Sequence, residues 1–582
     1  MVQEVNRLLL LSLYSENNIF DKIEFKEGIN LILGEKFDET SIHGRKTNGV
    51  GKSLCIDFIR FCLLANYRNL RIKKIPEEIL PLNENICLEF ILGKDKILIK
   101  RNRKNESMPI ILKNNEVIQF TTLDEAKKYM AGLLYNNMNG KSIPSFRSLL
   151  SLLMREEESN FSDILKCHKI NNTDVTPHLY LFSIMIEFLK NYNALYKDME
   201  ENTKVIKNLK QELTNNGQKK ISDIASEINS LNDEVQKIEK AVESFKNNEA
   251  FDSLENEIIK LEQEISSLRD TKKILNYNLK KIQILPKPEK IDDSEIKLLY
   301  NEFKENLGDL IVKNLEEIVS FKNKIEEFQN MLINEKAEEL KKEILIISKK
   351  LETLDNEYSE KIKILDKKGV LKDLKTSLSI FQNKKEELNS RNKLYELYVK
   401  TNNAKLKIKS DKSNIVVKLN DEIEKNKNII ISFNKTISNI HEQIMGNKNC
   451  SFDINIIDKS SVKNPINLSM RIDDDGSHSV NRTKVFIYDI GLLFNENTQK
   501  KHPLFLVHDN IFDVDQDTLV QCLNYLYSQQ IEGNKFQYIL TLNRDKIESE
   551  ERKKKINFEI DLYRRAIFTK KNKFLKKDYQ EK

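Results

Sequence analysis

The sequence predicts an α/β domain that is split by a long antiparallel α-helical coiled coil. Three observations predict this fold class: a strand, a glycine-rich loop and an apolar helix near the N-terminus, heptad repeats in the middle, and strand-like segments near the C-terminus. The predicted boundaries are residues 1–190 and 446–582 for the two parts of the α/β domain, 191–285 and 310–445 for the two helical arms, and 286–309 for the turn between the arms.

The first element is a glycine-rich loop between a strand and a helix. The segment "GINLILG" predicts a short buried strand, and "LCIDFIRFCLLA" is apolar at helical spacing. Between them, small residues supply backbone N–H groups for a phosphate, Lys52 can reach the terminal phosphates, and the Ser53 hydroxyl can bind Mg²⁺. The residues predicted to bind a nucleotide here are Asn48, Gly49, Val50, Gly51, Lys52, Ser53 and Leu54.

The spacing of this loop departs from the usual phosphate-binding pattern, in which a glycine stands five residues before the glycine of Gly-Lys-Ser. Lys46 occupies that place here. Gly34 then resembles the glycine that normally closes the strand, with residues 35–45 inserted before the loop resumes.

Composition limits the class of protein. Of 582 residues 32% are charged, while only nine are proline and fifteen are glycine, which indicates something less compact than stacked globular domains. A net charge of +6 is small for this length, so a nucleic-acid partner is permitted rather than indicated. The basic clusters "YRNLRIKKI", "IKRNRKN" and "TKKNKFLKK" are interpreted as solvated surface.

Cysteine spacing and hydropathy concern the compartment. The six cysteines form no Cys-x-x-Cys pair, so we expect reduced thiols in a cytoplasmic protein and no zinc site. The N-terminal "LLLLSL" is too short for a membrane span and predicts a buried first strand, and no membrane partner is expected.

Heptad repeats predict the two helical arms. The apolar seam of the first arm includes Ile224, Ile228, Leu231, Val235, Ile238, Val242 and Ile265, and that of the second includes Ile347, Leu351, Leu354 and Tyr358. Pro286 and Pro288 stop helix propagation between the arms, and a further break is expected around Gly369. A filament that dimerises end to end is the alternative, but the proline turn and the globular sequence on both sides favour a chain folded back on itself.

Strand-like segments return after the second arm. "CSFDINIID", "INLSMRID", "PLFLVHDN" and "FQYILTLN" are rich in β-branched and aromatic residues and are bounded by polar turns. A phosphate loop before the coil and strands after it suggest one domain divided by an insertion. With these features the chain resembles the SMC, RecN and RecF group of ABC-type ATPases, which implies an α/β ABC-type P-loop ATPase head that uses ATP and Mg²⁺.

The resemblance implies roles for an acidic segment. In that group an apolar strand leads into an Asp-Glu pair, and an aspartate follows seven positions after the first acid. By this register His508 takes the place of the magnesium-orienting aspartate, Asp509 that of the catalytic glutamate, and Asp515 that of the loop between heads. The metal residues would then be Ser53, His508 and Asp509. The other register puts Asp509 on magnesium and Asn510 in the glutamate place, but Asp515 then falls one position short, so the first register is preferred.

Further positions follow from the same resemblance. Gly476 and Ser477 occupy the place of the signature segment that contacts the ATP of the other subunit, before a helix from about Arg482, although the usual Ser-Gly-Gly-Glu form is absent. Asn543 lies near the place of the switch histidine. The segment "SFRSLLSLLMREEES" occupies the interval of the Q-loop without its glutamine.

The combination of these segments looks like a narrower bacterial family, the SMC-like ATPases of three-component conflict or anti-phage defence systems. It implies a homodimer through the heads, an adaptor, an effector such as a nuclease, and DNA as a ligand. The expected function is a slow or stimulated ATP hydrolase whose heads close on ATP. The alternatives are a nucleotide-gated scaffold with little hydrolysis, a DNA-repair SMC-like ATPase, and a purely structural coiled-coil protein.

Overall fold

The structure is a computed structural model. It describes residues 5–36, 49–138, 140, 142–167, 174–246, 255–284, 315–365, 370–457, 462–473, 476–512 and 516–579. These residues form two compact units. The first unit combines the described chain up to Tyr196 with the described chain from Asp411 onward, and the second unit contains the helical chain between them.

The strands of the described chain belong to the first unit. In chain order they are β1 (Leu8–Ser15), β2 (Ile23–Glu24), β3 (Gly28–Gly34), β4 (Ile86–Leu92), β5 (Asp95–Arg101), β6 (Ile110–Lys113), β7 (Glu116–Gln119), β8 (Met154–Arg155), β9 (Cys450–Ile456), β10 (Ile466–Ile472), β11 (Phe505–Asp509), β12 (Gln537–Asn543) and β13 (Arg564–Phe568).

The α-helices of the described chain fall in both units. In chain order they are α1 (Lys52–Cys62), α2 (Leu123–Leu134), α3 (Phe146–Leu153), α4 (Thr176–Leu181), α5 (Ile186–Leu213), α6 (Ile221–Lys246), α7 (Glu255–Ile284), α8 (Leu315–Leu365), α9 (Val370–Lys425), α10 (Lys427–Met445), α11 (His478–Phe494), α12 (Gln516–Ile531), α13 (Glu550–Lys555) and α14 (Ile560–Tyr563).

A parallel sheet forms the centre of the first unit. Its strand order is β13-β3-β12-β11-β8, so strands from both ends of the chain pair with one another. All seven residues of β3 are buried, as a strand inside a parallel sheet requires when both faces are covered. The predicted buried strand "GINLILG" and the helix that follows the loop are therefore confirmed as β3 and α1.

Two antiparallel sheets complete the strands of the first unit. The larger has the order β2-β1-β4-β5-β6-β7, and its strand β1 confirms that "LLLLSL" is a buried strand. The other is a pair in which β9 and β10 alternate between buried and exposed side chains. Helix α11 begins at His478, before the expected start at about Arg482, because the Ser477 side chain caps it by accepting from the Val480 N–H at 3.1 Å.

The second unit is an antiparallel coiled coil. Helix α7 packs on α8, and the pairs Glu257–Lys361 at 2.6 Å and Glu264–Lys350 at 2.9 Å run in opposite chain directions. Such exposed pairs are screened by water and contribute little to stability, so the apolar seam supplies the main stabilisation. The predicted seam residues Ile224, Ile228, Val235, Val242, Ile265, Leu351, Leu354 and Tyr358 are buried there.

Other predictions about the arms and the surface have mixed outcomes. The expected turn at Pro286 and Pro288 and the expected break around Gly369 lie outside the described residues.

The basic cluster "IKRNRKN" is not simply solvated surface. The guanidinium of Arg101 is 1% exposed, lies 4.2 Å from the Phe61 ring centroid, and donates to the carbonyl oxygens of Phe61 and Ala65 at 2.6 and 2.7 Å.

Two further observations concern the compartment. The six cysteines all lie within the described residues and are all free. No helix of the described chain has the length and hydropathy needed to span a bilayer.

Candidate functional site

The candidate site lies where neighbouring parallel strands end. Because β3, β12 and β11 run in the same direction, Gly34 pairs with Asn543 and Asp509 pairs with Thr541 at one edge of the sheet. Helix α1 begins at this edge with Lys52. Open α/β sheets bind ligands at the carboxyl ends of their strands, and helix N-termini favour anions.

Glycines allow the phosphate loop to pack closely. Gly51 has φ of +106°, and a Cβ there would lie 2.5 Å from the Cβ of Phe574. A Cβ on Gly34 would lie 2.7 Å from Nζ of Lys52. Any other residue at these two positions would displace the C-terminal segment or the lysine head group.

Lys52 crosses the edge of the sheet to reach β12. Its Nζ donates to Asn543 Oδ1 at 2.7 Å, and the side chain is largely buried. Burial lowers the pKa of Lys52, although the charges of Asp509 and Glu157 act in the opposite direction. The acidic neighbours favour the charged form of Lys52, and an ammonium group is suited to binding phosphate oxygens.

Asp509 meets the loop from the end of β11. Its Oδ1 accepts from Ser53 Oγ at 3.0 Å and from Thr541 Oγ1 at 2.7 Å, and its Oδ2 lies 3.7 Å from Arg71 Nη2. Burial raises the pKa of Asp509 to about 6. A hydroxyl and a carboxylate in contact are hard oxygen ligands of the kind that Mg²⁺ takes together with substrate phosphates and water, so these residues fit the ion.

His508 points to the opposite face of β11. Its Nδ1 lies 3.0 Å from Tyr538 Oη, and its Nε2 lies 2.9 Å from Asp489 Oδ2, whose carboxylate also accepts from Arg155 Nη2 at 2.7 Å. Because a carboxylate can only accept, Nε2 carries the proton and Nδ1 accepts from the tyrosine. Burial lowers the pKa of His508, so the ring is neutral. This placement does not bring His508 to the phosphate loop.

Asn510 turns back into the site. Neighbouring strand residues normally face opposite sides, but Asn510 has φ of +57°, a left-handed conformation that asparagine tolerates. Its Nδ2 donates to Glu157 Oε1 at 2.6 Å. Glu157 follows β8, which lies beside β11 in the sheet.

Lys52, Ser53, Asn510, Glu157 and Asn543 line one cavity of about 640 Å³. Asp509 is 1% exposed and is not among the lining residues, and it meets this cavity through its hydrogen bond with Ser53. The predicted nucleotide-binding residues that line it are Gly49, Val50, Gly51, Lys52, Ser53, Leu54 and Asn543. Lining residues outside the predicted site are Arg71, Glu157, Lys546 and Tyr579, while Asn510 belonged only to the second register. The volume is within the range of small-molecule sites.

The interpretation of "YRNLRIKKI" as solvated surface is corrected at Arg71, whereas Lys571, Lys576 and Lys577 of "TKKNKFLKK" are exposed, and only the apolar residues of that segment are buried. Arg71, from "YRNLRIKKI", donates to Asp57 Oδ2 at 2.8 Å and to the Ser53 carbonyl oxygen at 3.1 Å because the chain after α1 folds back over the loop. Phe574, from "TKKNKFLKK", is 2% exposed and its N–H donates to the Val50 carbonyl oxygen at 3.1 Å. Because both segments are rich in charged residues, the sequence alone does not predict the contacts of Arg71 and Phe574.

The remaining predicted residues lie elsewhere. Gly476 and Ser477 are exposed at the start of α11 and are not among the residues that line the cavity. Asn48 and Asp515 lie outside the described residues. Glu157 lies in the segment "SFRSLLSLLMREEES", which occupies the interval of the Q-loop, but the Q-loop pattern specifies a glutamine and therefore does not identify a glutamate.

Comparisons with known proteins add the following. Residues 440–579 match a family described as an uncharacterised protein conserved in bacteria (DUF2326). The chain is 23% identical over 577 residues to the uncharacterized protein YydD of Bacillus subtilis (strain 168), with 89% of this chain and 90% of YydD covered.

Two solved structures align over most of the chain. The Smc head domain with a coiled coil and joint from Pyrococcus yayanosii is 14% identical, with 95% of this chain and 93% of that chain covered and a TM-score of 0.32. The Smc head domain with an extended coiled coil bound to the C-terminal domain of ScpA from Pyrococcus furiosus is 10% identical, with 94% and 92% covered and a TM-score of 0.31. At these scores the description of the fold rests on strand order and side-chain contacts.

Proposed function

We propose that this chain is an SMC-like, ABC-type ATPase that binds Mg-ATP in the cavity and hydrolyses it slowly or when stimulated. The observation that carries the proposal is the 3.0 Å hydrogen bond between Ser53 of the phosphate loop and Asp509 at the end of β11. It joins a hydroxyl and an acid, beside the Lys52 ammonium, at the carboxyl edge of a parallel sheet.

The same contact supports the second register of the acidic segment. Asp509 is the acid that touches the loop hydroxyl, so we assign it to the metal and Asn510 to the place of the catalytic glutamate. Both ring nitrogens of His508 are taken by Tyr538 and Asp489, which argues against a metal role for this ring. The preference for the first register is therefore withdrawn.

Each residue of the cavity then has a task in phosphoryl transfer. When bound, Mg²⁺ neutralises charge on the phosphate oxygens. The backbone N–H groups of Gly49 to Ser53 bind the phosphates, and Lys52 exchanges its bond to Asn543 for the terminal phosphates. Arg71 adds positive charge from the side of Asp509. Positioning and charge neutralisation supply most of the catalysis in this reaction class.

Coupling to partners is the less direct part of the proposal. Gly476 and Ser477 are exposed at the N-terminus of the 17-residue helix α11, which supports a contact with ATP held by a second copy of the chain. A homodimer through the heads, an adaptor, an effector such as a nuclease, DNA as ligand, and a role in cytoplasmic anti-phage defence rest on the resemblance to SMC-like ATPases.

A nucleotide-gated scaffold is the second candidate function. The amide of Asn510 stands where a catalytic acid is expected, and an amide cannot take a proton from water at neutral pH. This observation favours a protein that holds or releases an effector as ATP binds, with little hydrolysis.

Nucleotide binding and turnover of the purified full-length chain separate these functions. We expect Mg-dependent ATP binding, ATP-dependent association of two chains, and turnover that rises with linear or circular DNA or with the products of neighbouring genes. Binding and association without turnover under any of these conditions would select the scaffold. Absence of ATP binding would overturn both functions.

A further inference from the structure

Three consecutive glutamates follow β8, and the structure gives each a different environment. Glu156 forms an ion pair with Arg60 of α1. Glu158 is exposed. Glu157 alone lines the cavity, where its Oε1 accepts from Asn510 Nδ2 at 2.6 Å. Asn510, which stands in the place of the catalytic glutamate, therefore holds Glu157 in position.

The negative charge of Glu157 also acts on Asp509 and Lys52. It contributes to raising the pKa of Asp509 and opposes the lowering of the pKa of Lys52, so the carboxylate lies within electrostatic reach of both groups. Only Oε1 is engaged by a side-chain hydrogen bond in the part of the chain that the structure describes. The second carboxylate oxygen is left for a water molecule.

Asp509 and Glu157 make different contacts, and these contacts indicate different roles. Ser53 lines the cavity and contacts the buried Asp509, and this pair fits a metal ion. Oδ1 of Asp509 already accepts from two hydroxyl groups, those of Ser53 and Thr541. Glu157 contacts neither hydroxyl and is held one residue further along the chain, at Asn510. The site thus has one buried carboxylate, Asp509, in contact with the loop serine, and a second carboxylate, Glu157, that lines the cavity from the segment after β8.

We propose that Glu157 is the general base that takes a proton from the attacking water, with Asn510 as its positioning residue. This inference rests on the proposed ATPase function. The water oxygen forms a bond to the γ-phosphorus as its proton passes to the Glu157 carboxylate. The bond from the γ-phosphorus to the bridging oxygen breaks, and its electron pair leaves with ADP. The catalytic acid thus comes from the segment after β8 and not from the end of β11.

The test compares Glu157→Gln with Glu158→Gln in the full-length protein. Both changes convert a carboxylate to an amide of the same shape. The carbonyl oxygen of the new amide in Glu157→Gln can still accept from Asn510, so the variant removes the proton acceptor and keeps the hydrogen bond. Mg-ATP binding, single-turnover cleavage of γ-labelled ATP and thermal unfolding are measured for both variants and the wild type, with and without DNA.

We expect Glu157→Gln to bind Mg-ATP within about threefold of the wild type and to cleave it roughly 100- to 10,000-fold more slowly. Glu158→Gln should cleave ATP within about twofold of the wild type. ATP-dependent association of two chains should persist longer in Glu157→Gln, because the bound nucleotide is not consumed.

Three results would overturn the inference. Cleavage by Glu157→Gln at the rate of Glu158→Gln would give Glu157 a structural role only. A loss of Mg-ATP affinity as large as the loss of cleavage would make it a metal ligand. A wild type that binds Mg-ATP but never cleaves it would remove the base together with the hydrolytic function, whereas failure to bind ATP would overturn the proposed function itself.

Discussion

A buried aspartate lies on each side of β11, and the pKa of one is raised while the pKa of the other is lowered. On one face Asp509 contacts Ser53 and Thr541, and burial raises its pKa to about 6. On the other face Asp489 of α11 meets the side chains of Arg155 and His508. Burial alone would raise the pKa of Asp489, but the charge of Arg155 and the hydrogen bond from His508 hold it below its ordinary value.

The difference separates a carboxylate that is neutralised within the protein from one that is not fully neutralised. The Asp489 carboxylate is neutralised within the protein by Arg155, and its oxygens are occupied by that guanidinium and the imidazole. Asp509 receives hydroxyl hydrogen bonds, and Nη2 of Arg71 lies 3.7 Å from its Oδ2 without a hydrogen bond between them. A buried carboxylate without a full counter-charge is suited to a cation from solution.

Replacing His508 gives the largest expected effect. His508→Asp would put a second carboxylate against Asp489 in a site that is 0–2% exposed, where like charges cannot both be accommodated. We expect the free energy of unfolding to fall by about 3–5 kcal/mol, the scale of an uncompensated buried charge. Urea denaturation followed by near-ultraviolet circular dichroism measures it, since the chain has tyrosines and no tryptophan.

A matched change on the other face is the control. Asp509→Asn removes a buried charge and leaves an oxygen that can still accept from Ser53 and Thr541, so its stability should stay within about 1 kcal/mol of the wild type. If His508→Asp were as stable as the wild type and required Mg²⁺ more strongly, the first register would be restored.

Acid should destabilise the protein by the next largest amount. Burial lowers the pKa of His178 and His502 to about 3. A folded pKa below the unfolded value of about 6.5 means that the neutral ring contributes stability above that pH, which is lost as the pH falls. Each ring should therefore remove about 2 kcal/mol of unfolding free energy between pH 7 and pH 5.

The Asp509 face should respond to acid with the opposite sign. Its folded pKa of about 6 lies above the unfolded value, so protonation favours the folded state and this contribution is lost as the pH rises through 6. Together His178, His502 and Asp509 should remove about 3 kcal/mol of unfolding free energy from the nucleotide-free protein between pH 7 and pH 5, and Asp509→Asn should lose about 1 kcal/mol more. Urea titrations at the two pH values test this, and a rise in wild-type stability at pH 5 would contradict it.

Much of the fold could be predicted because it depends on local patterns. The helix after the loop and the heptad seams have the spacing of a helix, while "GINLILG" is a short apolar run bounded by glycines, which is typical of a buried strand. Burial of Arg101 and Phe574 within the basic clusters could not be predicted, since these two residues are covered by segments that are distant in the chain.

The site could be predicted in part for the same reason. Lys52 and Ser53 belong to one continuous motif, so the sequence identifies them. The choice between His508 and Asp509 depends on which side of β11 meets the loop, and the role of Asn510 depends on one left-handed residue. Glu157 reaches the cavity only because β8 pairs with β11 across a long sequence separation.

Removing the Lys52 ammonium tests the side of β11 that faces the phosphate loop. Lys52→Ala should weaken ATP binding on the order of 100-fold, because charge-assisted hydrogen bonds to the phosphates are lost. Isothermal titration with Mg-ATP measures this change. Lys384→Ala in the coiled coil, which breaks only an exposed pair with Glu234, is the control and should leave affinity unchanged. Equal affinities of the two variants would remove Lys52 from the site.

Asp509→Asn makes the smallest and most diagnostic change. Mg²⁺ keeps ligands from water and phosphate, so loss of one protein carboxylate should weaken Mg-ATP binding by roughly tenfold. Without Mg²⁺ the sign should reverse, because a negative charge beside the phosphates has been removed. Titrations in magnesium and in chelator measure both values. Unchanged Mg-ATP affinity together with trapped, closed dimers would contradict the metal role and make Asp509 the group that activates water, and Glu157→Gln would then be expected to cleave ATP normally.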